Sequence, residues 1–399
     1  MHHCEGGDSC TELGYPDHRS VIHPVSKLRA AEFFAGMGLI RLGLEREGVE
    51  VVFANDIEPV KARLYSANFD SSHLVLGDVR EVRGDDIPDI DLATASFPCT
   101  DLSVAGRRRG LAGRESAMFW ELARVLGEMA GRRPRTVLLE NVLGFASSRG
   151  GRDLRSAVGE LNALGYSCDV FVGDAAWFVP QSRPRLFIFG SRDAAPRDGA
   201  PSPSPLRPER VVGFYRDNPD LRLHAYPLAP PEEEAVSLDE VVERMGPADR
   251  RWWDDGSTSR FAESLSEIQS SRLKGLAPSR RLNRRTAYRR TRRGKAVWEI
   301  RSDDIAGCLR TARGGSSKQA VVEAGRGTFR VRWMTPLEYA RLQGAGDLDL
   351  GSVTDNQALF ALGDAVCVPV IRWIAQSYLK PLAAGARSPA PMQQASAHA

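Results

Sequence analysis

Glu32-Phe33-Phe34-Ala35-Gly36-Met37-Gly38-Leu39 closes a short apolar run that begins at Arg29 and hands the chain to a helical pattern. Leu39, Leu42 and Leu44 recur on one face, which predicts a helix from Leu39 to Glu47. A glycine turn between strand and helix lets the backbone approach a ligand closely. It is also where a doubly wound sheet holds its cofactor. The glycine spacing does not match GxGxxG, which counts against a dinucleotide.

The same alternation extends outward. Val49–Asn55 predicts a strand and Pro59–Asn68 a helix. Further strands are expected at Leu74–Leu76, Asp91–Ser96, Thr136–Glu140, Cys168–Val172 and Arg185–Phe189, with helices near Ala117–Ala130 and Asp153–Leu164. This order predicts an α/β domain over 29–195, a mostly parallel sheet with helices on both faces. Pro196, Pro201, Pro203, Pro205 and Pro208 then mark a linker. Residues 196–327 have irregular periodicity and are assigned to a second, smaller domain. The first pattern returns over 328–380, with helices expected at Pro336–Gln343 and at Asp364–Tyr378, the latter entered through a turn at Gly363. Residues 1–28 and 381–399 are expected to be flexible tails. Cys4 and Cys10, in the first of these, lack the spacing of a metal site, and no metal is expected.

With 399 residues, 42% hydrophobic and 26% charged, the chain can bury a core of ordinary size. Its net charge of +3 is small, but from Arg272 to Lys295 there are eleven Lys/Arg and no Asp/Glu. That stretch suits phosphate contact. Six scattered cysteines without CxxC pairing suggest a reduced, cytoplasmic protein. No apolar run long enough to span a bilayer and no signal-peptide plan is read from the sequence.

Several polar residues stand at the carboxyl ends of predicted strands. Asp56 follows the second strand, where a carboxylate can accept hydrogen bonds from ribose hydroxyls; Asp78 could accept one from an adenine amino group. Phe97-Pro98-Cys99-Thr100 follows another strand end and opens a Gly/Arg-rich loop containing Ser103 and Arg107. A nucleophilic cysteine needs such a position, with nearby cations to favour thiolate. Glu140 ends an apolar strand, where a carboxylate is expensive to bury without a task. Burial would suit it to proton donation. Arg183 and Arg185, two apart before an apolar strand, could clamp a base oxygen or steady a thiolate.

Taken in order, these blocks resemble those of the DNA cytosine carbon-5 methyltransferases. Phe34-Ala-Gly-Met-Gly38, Asn55–Glu58 and Gly77–Val79 resemble the family's cofactor blocks, and Phe97-Pro-Cys99 its catalytic block. Glu140-Asn-Val142, Gln181-Ser-Arg-Pro-Arg185, Arg332–Gly344 and Gly363-Asp-Ala-Val366 resemble the rest. The match covers about 30–192 and 328–379. The resemblance implies a Rossmann-like fold that binds S-adenosylmethionine through Phe34, Ala35, Gly36, Gly38, Asp56, Ile57, Asp78, Val79, Pro98, Asp364 and Ala365. It implies a nucleophile at Cys99, supported by Glu140, Arg183 and Arg185. Residues 196–327 would be the target-recognition domain. Ser103, Arg107, Arg313, Gly314 and Gly315 are then expected to meet duplex DNA, Arg313 by reading guanine. Three positions depart from the family's usual residues: Thr100 for Gln, Gly363-Asp364 for Gly-Asn, and Ala345-Gly346 for Phe-Pro. A cognate restriction endonuclease and a monomeric state fit the same reading. The rivals are an RNA cytosine methyltransferase of the same fold, an inactive DNA-binding regulator and a nicotinamide-dependent dehydrogenase.

Overall fold

The computed structural model describes residues 27–98, 118–194, 199–232, 234–292, 294–311 and 318–384. Cys99, Ser103, Arg107, Arg313, Gly314 and Gly315, and most of both tails, lie outside the described residues.

The first lobe is built on β1 (Arg29–Phe33), α1 (Leu39–Glu45), β2 (Glu50–Asp56), α2 (Pro59–Asn68), β3 (Leu74–Leu76), β4 (Leu92–Ala95), α3 (Met118–Glu128), β5 (Thr136–Val142), α4 (Arg152–Ala163), β6 (Ser167–Asp174) and β7 (Pro184–Ser191). The seven strands run in the order β3-β2-β1-β4-β5-β7-β6. Strand β1 lies third in this order, with β2 and β4 parallel on its two sides. Alternation along the strands builds a core on each face. Ala31, Leu139 and Ile188 join Phe119, Leu126 and Leu154 of α3 and α4 on one face. Ala30, Leu138 and Phe187 join Ile40 and Leu44 of α1 on the other. Each fully buried Leu, Ile or Phe side chain among these contributes about 1.5–3 kcal/mol.

The sheet is mostly parallel, as expected, with one strand reversed. Strand β7 is antiparallel to both β5 and β6. The chain between β6 and β7 holds only a short turn of helix, Ala175–Trp177, which cannot make the crossover that a parallel pair requires.

Beyond β7 the chain forms α5 (Glu209–Asp217), α6 (Leu238–Val241), α7 (Asp255–Glu263) and α8 (Glu267–Leu276), then β8 (Asn283–Arg292), β9 (Lys295–Ile300), β10 (Gln319–Gly325) and β11 (Thr328–Trp333). The last four make a separate sheet, ordered β11-β10-β8-β9 and antiparallel throughout. Its core holds Phe261, Trp298, Val322 and Val331. The stretch that looked irregular is therefore regular. Arginines at 284, 285, 289, 290 and 292 of β8 hide the strand period, because they put charges on both of its faces. Val211, Phe214, Tyr215 and Leu223 pack into the core of the large sheet, not the small one.

The return segment holds α9 (Pro336–Leu342), α10 (Asp355–Asp364) and α11 (Val368–Ile374). The expected helix from Asp364 to Tyr378 starts later than predicted. Asp364 ends α10, Ala365 is extended, and α11 begins with Pro369 in its first turn. Gly363 lies inside α10 and is no turn; a Cβ there would meet the Arg310 carbonyl oxygen at 2.2 Å. The stretch Asp355–Ala383, 29 residues long, is apolar enough to cross a membrane by length and composition alone, but it is broken at Ala365 and mostly buried. Its apolar side chains, among them Val370, Ile371 and Ile374, are packed against the large sheet.

The small sheet is fastened to the return segment by Arg332 of β11 and Glu338 of α9, both without exposed side-chain surface. Arg332 Nη1 donates to Glu338 Oε2 at 2.9 Å, and Glu338 also accepts from the Glu243 and Thr335 amides. Removing one partner of a buried pair strands the other charge. Arg332→Met should therefore lower stability by about 3–5 kcal/mol in urea unfolding; a change below about 1 kcal/mol would show that the amides alone satisfy Glu338.

Candidate active site

The turn after β1 has left-handed backbone at Phe34, Gly36 and Gly38, with φ of 57°, 60° and 83°. It is pinned to β2: the Ala35 amide donates to the Asn55 carbonyl at 2.9 Å, and the Gly36 amide to Asp56 Oδ2 at 2.7 Å. Asp56 Oδ1 accepts from the Glu58 amide at 2.8 Å. Burial raises the Asp56 pKa against the pull of Lys61. Beside this carboxylate, Ile57, Val75 and Leu76 are 65%, 44% and 52% exposed, an apolar margin along the ends of β2 and β3. Asn55 Nδ2 holds the rim by donating to the carbonyls of Val75 and Gly77, each at 3.0 Å. Asp78 caps the short helix that begins at buried Val79 and is paired with Arg80. Among the described residues, a Cβ on Gly36 would meet only Lys61 Cδ, at 3.9 Å, which leaves room beside the turn. An acidic group set between two amides, an apolar margin and an open glycine turn fit an adenosyl ligand.

Under the turn lies Glu32, 1% exposed. Its Oε1 accepts from the Arg41 amide at 3.4 Å, and its Oε2 has no hydrogen-bond partner among the described residues. Burial pushes its pKa up to about 8.

The second cluster stands at the ends of β4, β5 and β7. Asn141 Nδ2 donates to the Phe97 carbonyl at 3.2 Å and fixes the backbone just before Pro98 and Cys99. Phe97 is wedged against Phe119 and Phe145. Ser96 donates to Glu140 Oε2, and Arg185 Nε pairs with Glu140 Oε1 at 3.0 Å. The antiparallel register explains that pair. Phe187 stands opposite Glu140 and Arg185 opposite Val142, so Arg185 is the diagonal neighbour of Glu140 on one face.

Arg183 lies just outside β7 and is 2% exposed. Its Nη1 donates to the Leu309 carbonyl at 2.9 Å and contacts Cys308 Sγ at 3.4 Å; its Nη2 donates to the Ala365 carbonyl at 2.6 Å. Arg185 Nη2 reaches the same sulfur at 3.6 Å. Burial would push the Cys308 thiol up, but Arg183 and Arg185 outweigh it and hold its pKa below the ordinary range. Gln181 adds to this junction: its Oε1 accepts from the Leu309 amide at 3.2 Å, and its Nε2 donates to the Leu342 carbonyl at 2.7 Å.

The structure thus gathers Pro98, Glu140, Arg183, Arg185 and Ala365 at one end of the sheet, with the turn, Asp56 and Asp364 beside them. Ser96, Asn141, Gln181, Lys61 and Cys308 belong to the same neighbourhood and were missed in sequence. Ser96, Asn141 and Gln181 are legible in hindsight, as polar residues within the motif blocks. Cys308 gave no signal, because only folding brings it to the arginines. The basic stretch is partly neutralised: Arg284 pairs with Asp239 and Glu323, and Arg290 and Arg292 share Glu299.

Comparison with known proteins agrees with this geometry. The family model for C-5 cytosine-specific DNA methylase matches residues 28–380. The chain belongs to this family. It is 31% identical over 358 residues to the Type II methyltransferase M.NlaX of Neisseria lactamica, covering 88% of this chain and 96% of that one. It is 30% identical over 355 residues to the Type II methyltransferase M.DsaV of Dactylococcopsis salina, covering 88% and 86%. Among solved structures, the fold resembles the Entamoeba histolytica methyltransferase EhMeth, with a TM-score of 0.58, 14% identity and coverage of 89% and 99%. As a family member the chain is a cytosine carbon-5 methyltransferase with a Rossmann-like mixed sheet, and S-adenosylmethionine is its cofactor.

Glu32 beneath the cofactor turn makes stability depend on pH. The folded carboxyl keeps its proton up to about pH 8, whereas the unfolded one loses it near 4.5. Between those values the folded state binds more protons, so this group destabilises the fold progressively as pH rises through that window. Glu32→Gln removes the effect. Its stability advantage over wild type should be absent below pH 4.5 and grow to a few kcal/mol, on the order of 3–5, by pH 8. Urea unfolding at several pH values would check it; parallel pH curves for the two proteins would count against a protonated Glu32.

Proposed function

We propose that the enzyme methylates a cytosine flipped out of duplex DNA within one specific sequence, through a covalent adduct with Cys99. The observation that carries this is the Ser96–Glu140–Arg185 network, set beside the Phe97-Pro98 backbone that leads directly to Cys99. Carbon 5 of cytosine is a poor nucleophile while the ring is aromatic. Addition of the Cys99 thiolate to carbon 6 breaks the aromaticity. Glu140 holds and protonates ring nitrogen 3, and its contacts with Ser96 and Arg185 set its orientation. Arg185 stabilises the developing charge, while Arg183 positions the 308–309 backbone beside it. S-adenosylmethionine supplies a methyl group activated by its sulfonium sulfur. Loss of the carbon 5 proton and expulsion of Cys99 complete the turnover.

A stacked base cannot enter a site placed at the sheet ends, so the cytosine is extruded. The segment 196–327 serves as target-recognition domain. Arg289, Arg290 and Arg292 of β8 meet phosphates, and Arg313 with Gly314 and Gly315 reads the target. Ser103 and Arg107 approach the DNA from the loop after Cys99. The full-length relatives named as Type II methyltransferases support a cognate restriction endonuclease as partner. The enzyme works as a cytoplasmic monomer.

Base-resolution methylation sequencing in a methylation-free bacterial host tests the reading. Wild type should mark cytosine in one short sequence context, and Cys99→Ala should leave none. Glu140→Gln should slow methylation by at least about 100-fold. Duplex DNA carrying 5-fluorocytosine at that site should form a denaturation-resistant adduct with wild type alone. Methylation of RNA with none of DNA would overturn the substrate, and methylation by Cys99→Ala would overturn the nucleophile.

A further inference from the structure

Cys308 lies between β9 and β10, in the second domain, yet its sulfur stands among the arginines of the first lobe. The backbone on both sides of it is clamped. Gln319 Nε2 donates to the Gly307 carbonyl at 2.6 Å and its Oε1 accepts from the Gly307 amide at 3.1 Å, while Gln181 accepts from the Leu309 amide at 3.2 Å. Both glutamines are buried, so the sulfur has little freedom to move. Arg183 Nη1 reaches it at 3.4 Å and Arg185 Nη2 at 3.6 Å. Arg185 then spans the gap to Glu140: its Nε pairs with Glu140 Oε1 at 3.0 Å, and its Nη1 donates to the Pro184 carbonyl at 3.0 Å. Cys308, Arg185, Glu140 and Ser96 thus form one chain of contacts across the two domains.

Two guanidiniums that meet at one atom repel each other unless that atom carries negative charge. Burial first, then Arg185, pull the Arg183 pKa down, and Cys308 acts against them. Burial likewise disfavours the Cys308 thiolate, but Arg183 and Arg185, joined by Arg310, outweigh it. The Leu309 carbonyl, 3.4 Å from the sulfur, already accepts from Arg183 Nη1 at 2.9 Å and has no need of a thiol proton. We propose that Cys308 is a thiolate that bridges Arg183 and Arg185 and so positions Arg185 against Glu140, a support that the second domain supplies to the reaction. Cys308 acts through Arg185, as a positioning residue, and Cys99 remains the nucleophile. This rests on the roles given above to Glu140 and Arg185.

Charge rescue separates a bridging anion from a packing role. Methyl transfer from tritiated S-adenosylmethionine by the full chain is measured at saturation, on whichever nucleic acid, DNA or RNA, wild type methylates. Cys308→Ser keeps the size but not the charge. It should lower kcat by about tenfold or more, with S-adenosylhomocysteine affinity within about twofold of wild type. Cys308→Asp restores an anion and should bring kcat back to within about threefold of wild type. Packing alone would rank the two the other way, since a buried carboxylate is the less tolerable substitute. A kcat for Cys308→Ser equal to wild type, or one for Cys308→Asp no better than for Cys308→Ser, would overturn the proposal. Urea unfolding keeps the test available should Cys308→Asp fail to fold. The folded thiol ionises below its unfolded value of 9.0, so it contributes stability that is present above 9.0 and lost as pH falls through the lowered value. The urea midpoint of wild type should therefore gain on that of Cys308→Ser as pH rises toward 9; parallel curves would overturn the thiolate. Glu140→Gln methylating as fast as wild type in the same assay would instead remove the role for which Arg185 is positioned, and the proposal with it.

Discussion

One buried guanidinium, that of Arg183, holds together parts of the chain that are far apart in sequence. It reaches the carbonyl of Leu309, at the edge of the second domain, and that of Ala365, in the return segment. All its immediate partners besides Cys308 are main-chain oxygens. Side chains can change while carbonyls cannot, so such a bracket specifies the path of the backbone. The carbonyl oxygens of Leu309, Gly363 and Ala365 replace water around its two Nη groups, while Nε finds no hydrogen-bond partner among the described residues. Everything at the site is placed relative to this junction: Cys308 between the arginines, Gly363 against Arg310, and Asp364 facing Lys61.

Strand direction is the second constraint. Because β7 runs against β5, Arg185 lies diagonally across from Glu140, and the carboxylate gains a cation without further backbone adjustment. The same reversal follows from the short connection between β6 and β7. A local economy of chain length thus produces a functional ion pair.

The two charged sites differ in how they meet the cost of burial. Glu140 is satisfied on both oxygens, by Ser96 and Arg185. Glu32 has one orphaned oxygen and remains protonated instead. One carboxyl is kept ready for polar work, and the other behaves as a neutral support under the glycine turn.

The sequence by itself determined the strand–helix order of the first lobe, because apolar period and glycine punctuation are local properties. It also marked Cys99, Glu140, Asp56 and Asp364, since each falls at the end of an apolar element or within a recognisable block. The small sheet was illegible: arginine-rich strands such as β8 carry charges on both faces and show no hydrophobic alternation. The break at Ala365 was missed although the sequence carries its cause: Pro369 cannot donate to the carbonyl four residues back, that of Ala365, and so opens a new helix instead of continuing the old one. The reversal of β7, the Glu140–Arg185 pair, the Arg183 bracket and the Lys61–Asp364 bridge were decided by tertiary structure alone. Each depends on distances between residues remote in the chain, which no local pattern encodes.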